Sequence, residues 1–328
     1  MSRKLVSIVV PCYNEEGNVE EVARRVRETM AQFTHLDYEH IFIDNASKDT
    51  TLAILRRLAS EDQRIKVIVN ARNFGHLRSP MYGMLQAAGD AVVLLFSDLQ
   101  DPPELVGDFV REWEKGAPVV LGIKNASEES SLMYWLRTKY YRTLQRFASM
   151  DMYENFTGFG LFDRRVIEIL RSLPDSYPYF RGMIAEIGYP YVKVFYNQKT
   201  RKRGITKNNF YTLYDVAMLG LTNVSKAPLR MFTFFGFICA GLSFLVALAY
   251  TLYKLLFWRS FSVGIAPVVI GIFFFGSVQL AFIGLLSEYI GAIHTQVMAR
   301  PLVVERERIN FEVPSPTVST YQVRDSHA

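Results

Sequence analysis

A mostly parallel α/β sheet with flanking helices, followed by two transmembrane helices, is the fold this sequence predicts, and three features predict it. Through the first 122 residues, short apolar runs alternate with amphipathic segments, the rhythm of strands joined by helical crossovers. The apolar runs are continuous, as in strands covered on both faces. Far downstream lie two uncharged stretches, Met231 to Tyr253 and Ser260 to Ser287, each long enough to cross about 30 Å of hydrocarbon at about 1.5 Å per residue.

Taken in order, the strands are Leu5 to Val10, Glu39 to Ile43, Ile65 to Val69, Ala91 to Phe96 and Pro118 to Gly122. Between them run helical patterns: Asn18 to Phe33, Thr50 to Ser60, His76 to Ala88, and a helix opened by Pro102 that ends near Lys115. Beyond residue 122 the regular alternation stops. Ser131 to Ser149 interleaves Trp135, Leu136, Tyr140, Leu144 and Phe147 with Arg137, Lys139, Arg142 and Arg146, a pattern that suits an interfacial helix or a surface helix with one core face. Pro301 to Glu312 reads as a strand that pairs either with a neighbouring subunit, giving a homo-oligomer, or with its own domain. From Pro314 onward, Ser, Thr and Pro mark a poorly ordered tail.

Composition limits the classes of function. A net charge of +5 fits an anionic partner such as a nucleotide, a lipid phosphate or a membrane surface, and no nucleic acid is called for. Two cysteines, Cys12 and Cys239, exclude a disulfide framework and a cysteine zinc site. Met1 to Lys4 leads straight into a strand, so no cleavable signal peptide is expected. Basic residues from Arg201 to Lys207, with Lys226 and Arg230, precede the first span, and Arg300, Arg306 and Arg308 follow the second; only Lys254 and Arg259 lie between. That bias expects a multi-pass protein of the cytoplasmic membrane with both termini in the cytoplasm.

Polar groups gather where strands end, the edge at which open α/β sheets bind ligands. The first strand exits through Pro11-Cys12-Tyr13-Asn14-Glu15, offering an aromatic face and a carboxylate suited to a nucleobase. At the second exit stand Asp44, placed to accept from ribose hydroxyls or a base imide, and Asp49, which reads as a helix cap. The third supplies Arg72, a phosphate-binding side chain, and Gly75, free to take an unusual backbone angle. The fourth runs Ser97-Asp98-Leu99-Gln100-Asp101-Pro102-Pro103-Glu104. Asp98 and Gln100 are hard oxygen ligands for a divalent cation carrying a nucleotide diphosphate; the alternative is a polar turn in which Asp101 caps the next helix.

These motifs, with the basic run Arg201-Lys202-Arg203-Gly204-Ile205-Thr206-Lys207 and the late spans, resemble the inverting family 2 glycosyltransferases of GT-A fold, within them the polyisoprenyl-phosphate hexose transferases such as dolichol-phosphate mannose synthase and bactoprenol glucosyltransferase. The resemblance implies a Rossmann-like GT-A sheet, a UDP- or GDP-linked sugar donor, Mg²⁺ or Mn²⁺, membrane lipid as surroundings, and polyprenyl phosphate as acceptor. It implies that Pro11, Tyr13, Glu15 and Asp44 contact the nucleoside; Arg72, read from its own strand exit, is added to the nucleotide-binding set. Asp98 and Gln100 would address the metal, and Arg201, Arg203 and Lys207 the acceptor phosphate. Asp98, Arg201 and Lys207 are the catalytic candidates.

The sequence departs from that pattern at three places. Phe96 stands where the family's Asp-x-Asp motif has its first aspartate, Asn45 replaces an acidic residue, and Gly158 occupies a position that usually carries Asp; nearby Asp163 fits a helix cap. The organisation expected is a cytoplasmic catalytic domain over 1–207, an interfacial linker over 208–230, a transmembrane hairpin over 231–290, and a cytoplasmic segment with its tail over 291–328. The activity expected is hexose transfer from a nucleotide sugar to polyprenyl phosphate, supplying lipid-linked sugar for envelope glycans. The departures keep open a nucleotide-sugar-binding relative of weak activity, or a partner subunit of a membrane glycosylation complex.

Overall fold

A computed structural model describes residues 3–125, 153, 156–173, 175–198, 227–257 and 265–311. The 131–149 helical pattern, the basic run from Arg201 to Lys207 and the tail beyond residue 311 lie outside them.

The chain opens β1 (Leu5–Cys12), α1 (Val19–Met30), β2 (Asp37–Asp44), α2 (Thr51–Glu61), β3 (Ile65–Asn70), α3 (Gly75–Gln86) and β4 (Ala91–Leu94). It continues α4 (Leu105–Glu114), β5 (Val119–Lys124), β6 (Phe156–Asp163), α5 (Arg164–Ser172), α6 (Phe180–Ile187) and β7 (Tyr191–Tyr196). Two long helices, α7 (Ala227–Leu256) and α8 (Ile265–Val297), precede a last strand, β8 (Glu305–Ile309).

Eight strands form one mixed sheet in the order β7-β5-β6-β4-β1-β2-β3-β8. β3, β2, β1 and β4 run parallel, so their carboxyl ends share one edge. β6 lies antiparallel to both β4 and β5, and β7 is parallel to β5. Helices cover both faces. Val22 and Val26 of α1, Leu55 of α2 and Phe109 of α4 pack into one apolar cluster; Met84 of α3, Ile167 of α5 and Ile184 of α6 pack into the other. Burial on both faces explains the unbroken apolar runs, each such side chain contributing about 1.5–3 kcal/mol.

Local chemistry sets the helix ends. Glu20 and Glu21 in the first turn of α1 and Arg27 in its last complement the helix dipole. Asp163 caps α5 as expected, its Oδ1 accepting from Arg165 N–H at 3.1 Å. The helix expected from Pro102 starts later, at Leu105, because Pro102 and Pro103 spend their carbonyls in a turn that receives the N–H groups of Leu105 and Val106.

Pro301 to Glu312 resolves to pairing within the chain: β8 adds antiparallel to β3, with Val67 opposite Ile309 and Asn70 opposite Glu305. Buried Glu305 and half-buried Arg308 lock it through Tyr82 and Gln86 of α3. One helical stretch among the described residues, Gly271–Val297, is long and apolar enough to cross a membrane, and no residue of its apolar window is buried. The apolar part of α7 is the shorter Thr233–Val246. At the end of α8, Gln296 accepts from Ser176 N–H at 3.2 Å and donates to Asp175 Oδ1 at 2.6 Å, seating the helix on the sheet domain.

Candidate active site at the strand exits

The exits of β1 and β2 are laced together by side chain to backbone bonds. Asn14 adopts a left-handed φ of 56° that turns the chain out of β1. Its N–H donates to Ser47 Oγ at 2.9 Å, while its own Oδ1 accepts from Lys48 N–H at 2.8 Å. Glu15 N–H donates to Thr51 Oγ1 at 2.8 Å, and Asn18 holds the Glu15 carboxylate at 2.6 Å. Asp49 accepts from Thr51 N–H at 3.0 Å and from Glu16 N–H at 3.3 Å, but the N-cap of α2 is Thr50, so the expected cap stands one residue ahead of the helix boundary.

Asp44 sits inside this lacework with no solvent exposure. Its Oδ2 accepts from Ser47 N–H at 3.2 Å, but its Oδ1 is buried without a partner. Burial raises its pKa, against the lowering effect of Ser47 and of the Arg306 charge. A buried carboxylate oxygen lacking a donor is costly unless a ligand supplies one. Cys12, beside it, is no nucleophile: burial and the charges of Asp44, Glu15 and Asp49 all push its thiol pKa up.

Asn45 shows why an amide replaces an acid. Its Oδ1 accepts from Asn70 Nδ2 at 3.0 Å and Phe74 N–H at 2.9 Å, while its Nδ2 donates to Asn73 Oδ1 at 2.9 Å and the Gly75 carbonyl at 3.3 Å. A carboxylate could make the first two bonds and neither of the others.

The β4 exit is built as a tight turn. Ser97 Oγ donates to the Pro11 carbonyl at 3.0 Å, tying it to β1. Leu99 takes a left-handed φ of 57° with its side chain buried, and Gln100 N–H donates to Asp98 Oδ1 at 3.2 Å. Because β2 and β4 flank β1, Asp44 and Asp98 stand two strand spacings apart, about 10 Å along the edge. Asp98 and Gln100 supply hard oxygen donors. Among the described residues no three His, Cys, Asp or Glu side chains converge to cage a cation. The pair therefore fits Mg²⁺ or Mn²⁺ that completes its shell from substrate phosphates and water, the habit of Mg²⁺ sites.

Asp101 does not cap α4, whose N-cap is Glu104. It is buried and accepts from the Tyr196 hydroxyl at 2.5 Å and Gln198 Nε2 at 3.4 Å. Burial holds its pKa up, with Tyr196 and Lys124 pulling the other way. Sequence reasoning missed this tie from the Asp98 turn to the end of β7; the only signal was a carboxylate in the motif and an aromatic closing the Val192-Lys193-Val194-Phe195-Tyr196 run.

Two of the departures meet in space. Gly158, at φ 112°, lies so that a Cβ there would stand 3.6 Å from Phe96 Cζ and from Leu94 Cδ2. Phe96 packs against both apolar clusters, making this flank of the Asp98 turn apolar. Arg72 lies on the opposite flank, past β3, its guanidinium 4.1 Å from the Phe74 ring centre and donating to the Asn73 carbonyl at 3.1 Å.

Polar strand ends at one edge of a parallel sheet, with an unsatisfied carboxylate and a hard-oxygen turn among them, are the arrangement of an α/β enzyme, and residues 7–171 match the model of Glycosyl transferase family 2. The chain belongs to that family and is a glycosyltransferase of GT-A architecture. It is 33% identical over 314 residues to the uncharacterized glycosyltransferase YkcC of Bacillus subtilis, covering 95% of this chain and 97% of the relative. To the SfII prophage-derived bactoprenol glucosyl transferase of Shigella flexneri it is 33% identical over 297 residues, covering 90% of this chain and 96% of the relative. Among solved structures, glucosyl-3-phosphoglycerate synthase from Mycobacterium tuberculosis in complex with phosphoglyceric acid aligns at a TM-score of 0.48 and 18% identity, over 67% of this chain and 80% of that one.

Proposed function

We propose that this glycosyltransferase moves a hexose from a UDP- or GDP-linked donor to polyprenyl phosphate at the cytoplasmic face of the membrane. The observation that carries the reading is the Asp44 oxygen lacking a donor, about 10 Å along one sheet edge from the Asp98 turn, in a chain whose later part bears an uncovered apolar helix. A nucleoside hydroxyl or imide completes Asp44, with Pro11, Tyr13 and Glu15 around the base and Arg72 at its flank. The diphosphate then lies toward Asp98 and Gln100. A divalent cation held there would neutralise the leaving diphosphate. Likeness over 90% of the chain to a relative named bactoprenol glucosyl transferase supports the acceptor class.

A phosphate monoester has its second pKa near about 6, so at neutral pH the acceptor is already a dianion and no protein base is required. One acceptor oxygen forms the bond to the anomeric carbon as the bond to the donor phosphate breaks, the electron pair leaving with the nucleoside diphosphate and the configuration inverting. The protein's share is positioning and charge neutralisation. Arg201, Arg203 and Lys207 are assigned to the acceptor phosphate. In this reading α7 and α8 form the transmembrane hairpin, both termini stay in the cytoplasm, and the bilayer concentrates the acceptor near the sheet edge.

A donor screen with lipid extraction of the product tests reaction class and sugar together. Asp98→Ala should abolish turnover and leave membrane insertion intact; unchanged turnover overturns the assignment of Asp98. The apolar contact between Phe96 and the Gly158 position favours a second reading, a nucleotide-sugar-binding relative of weak activity. Retained nucleotide binding with no product from any common donor would select it.

A further inference from the structure

Beside the end of α8, cations gather without acids. Arg78 of α3 donates from Nη2 to the Pro301 carbonyl, immediately after Arg300, and its Nε is buried with no partner. Arg72 and Arg78 both approach the ring of Phe74, at 4.1 and 5.4 Å from its centre. Burial and the charges of Arg72 and Arg300 together depress the Arg78 pKa. Among the described residues no carboxylate pairs with Arg72, Arg78 or Arg300. Nearby Asp175 is engaged by Gln296 and by Tyr177 N–H, and Glu305 by Tyr82 and Arg308.

The same spot is the N-terminus of α3, which has no acidic residue in its first turn and whose Gly75 N–H donates to Asn73 Oδ1 at 2.8 Å. Space beside Gly75, at φ 88°, is open, with no atom beyond its own helix backbone and chain neighbours within 4 Å of where a Cβ would stand. Guanidinium forks, a helix N-terminus and an unpaired buried N–H are the parts from which phosphate sites are made. Bringing such groups together without a counter-charge costs stability that a bound anion returns.

We propose that Arg78 and Arg300 form a phosphate-binding site at the N-terminus of α3, separate from the donor nucleotide to which Arg72 is assigned. β3, which precedes it, is three strand spacings from β4, so the site lies about 14 Å along the edge from Asp98. Its phosphate comes from the headgroup of an anionic lipid or from solution. The lipid source rests on the membrane reading above; the phosphate chemistry does not.

The test uses the full-length protein with nucleoside diphosphate and Mn²⁺ saturating throughout. Inorganic phosphate is titrated calorimetrically in detergent, and retention of phosphatidylglycerol against phosphatidylcholine from mixed nanodiscs is read by native mass spectrometry. Binding in either arm should weaken about tenfold in Arg300→Ala and in Arg78→Lys, the loss of one bond to a charged group, and stay unchanged in Arg24→Ala on distant α1. Arg78→Lys keeps the charge and Arg300 is exposed, so both variants fold even where Arg78→Ala fails. Retention of phosphatidylglycerol without phosphate binding assigns the site to a headgroup; calorimetric binding assigns it to a soluble anion. The proposal is overturned if neither anion binds, if both variants match the wild type, or if saturating nucleotide abolishes binding. None of these readings depends on whether the donor screen yields product.

Discussion

Replacing Asp44 with Asn should separate ligand binding from stability in opposite directions. The native carboxylate has one oxygen on Ser47 N–H at 3.2 Å and one buried without a partner. Asn is nearly isosteric, so packing is kept; its oxygen stays on Ser47 N–H, which turns the Nδ2 donor toward the position where the ligand must donate. The donor nucleotide then loses a hydrogen bond to a charged group, about 1.5–3 kcal/mol, or roughly 10- to 150-fold in affinity. The apo protein meanwhile sheds a carboxylate whose burial raises its pKa and so penalises its charged form at neutral pH. Calorimetric titration with UDP and GDP in the presence of Mn²⁺ gives the first quantity, and a thermal melt of the apo protein in detergent the second. Affinity within twofold of wild type for whichever nucleotide binds, or a melting point several degrees lower, would refute the reasoning that Asp44 is held unsatisfied for a ligand.

Three further outcomes follow from the same geometry. Tyr196→Phe removes the 2.5 Å donor from buried Asp101, costing about 1.5–3 kcal/mol at neutral pH. Since burial holds the Asp101 pKa above its unfolded value, the penalty on its carboxylate is absent below about pH 4 and grows as pH rises through the folded pKa; the variant raises that pKa further. Its loss in thermal melts should therefore shrink toward acid, and a loss independent of pH would count against it. Mn²⁺ titrated into nucleotide-free protein should give no binding at the Asp98 turn until nucleoside diphosphate is added, as paramagnetic broadening of nearby resonances would report. Arg308→Ala leaves the deeply buried Glu305 carboxylate without its main partner and should cost about 3–5 kcal/mol, read by denaturant unfolding of the sheet domain; a loss under about 1 kcal/mol contradicts the buried placement of β8.

Continuous apolar runs spaced by amphipathic stripes were enough to place β1 to β5 and their helices, because burial on two faces leaves its mark locally, residue by residue. The same locality explains the legible part of the site. Parallel strands joined by crossovers must end at a common edge, so Asp44 and Asp98 at two exits imply a shared crevice before any distance is known. Boundaries were less legible. Pro102 marks a turn and not the first helical residue, since the two prolines leave their carbonyls to cap the helix that begins at Leu105.

What the sequence by itself determined was therefore the parallel core, the polar strand exits and the apolar length downstream. Tertiary structure alone decided that β8 closes the edge beside β3, that Asp101 answers to Tyr196 across 95 residues, and that Arg78 meets Pro301 across 223. Periodicity reports whether a residue is covered, not by what. The alternation of Val303, Glu305 and Glu307 fits a strand in any sheet, and its register became unique only when Glu305 and Arg308 found half-buried partners on α3.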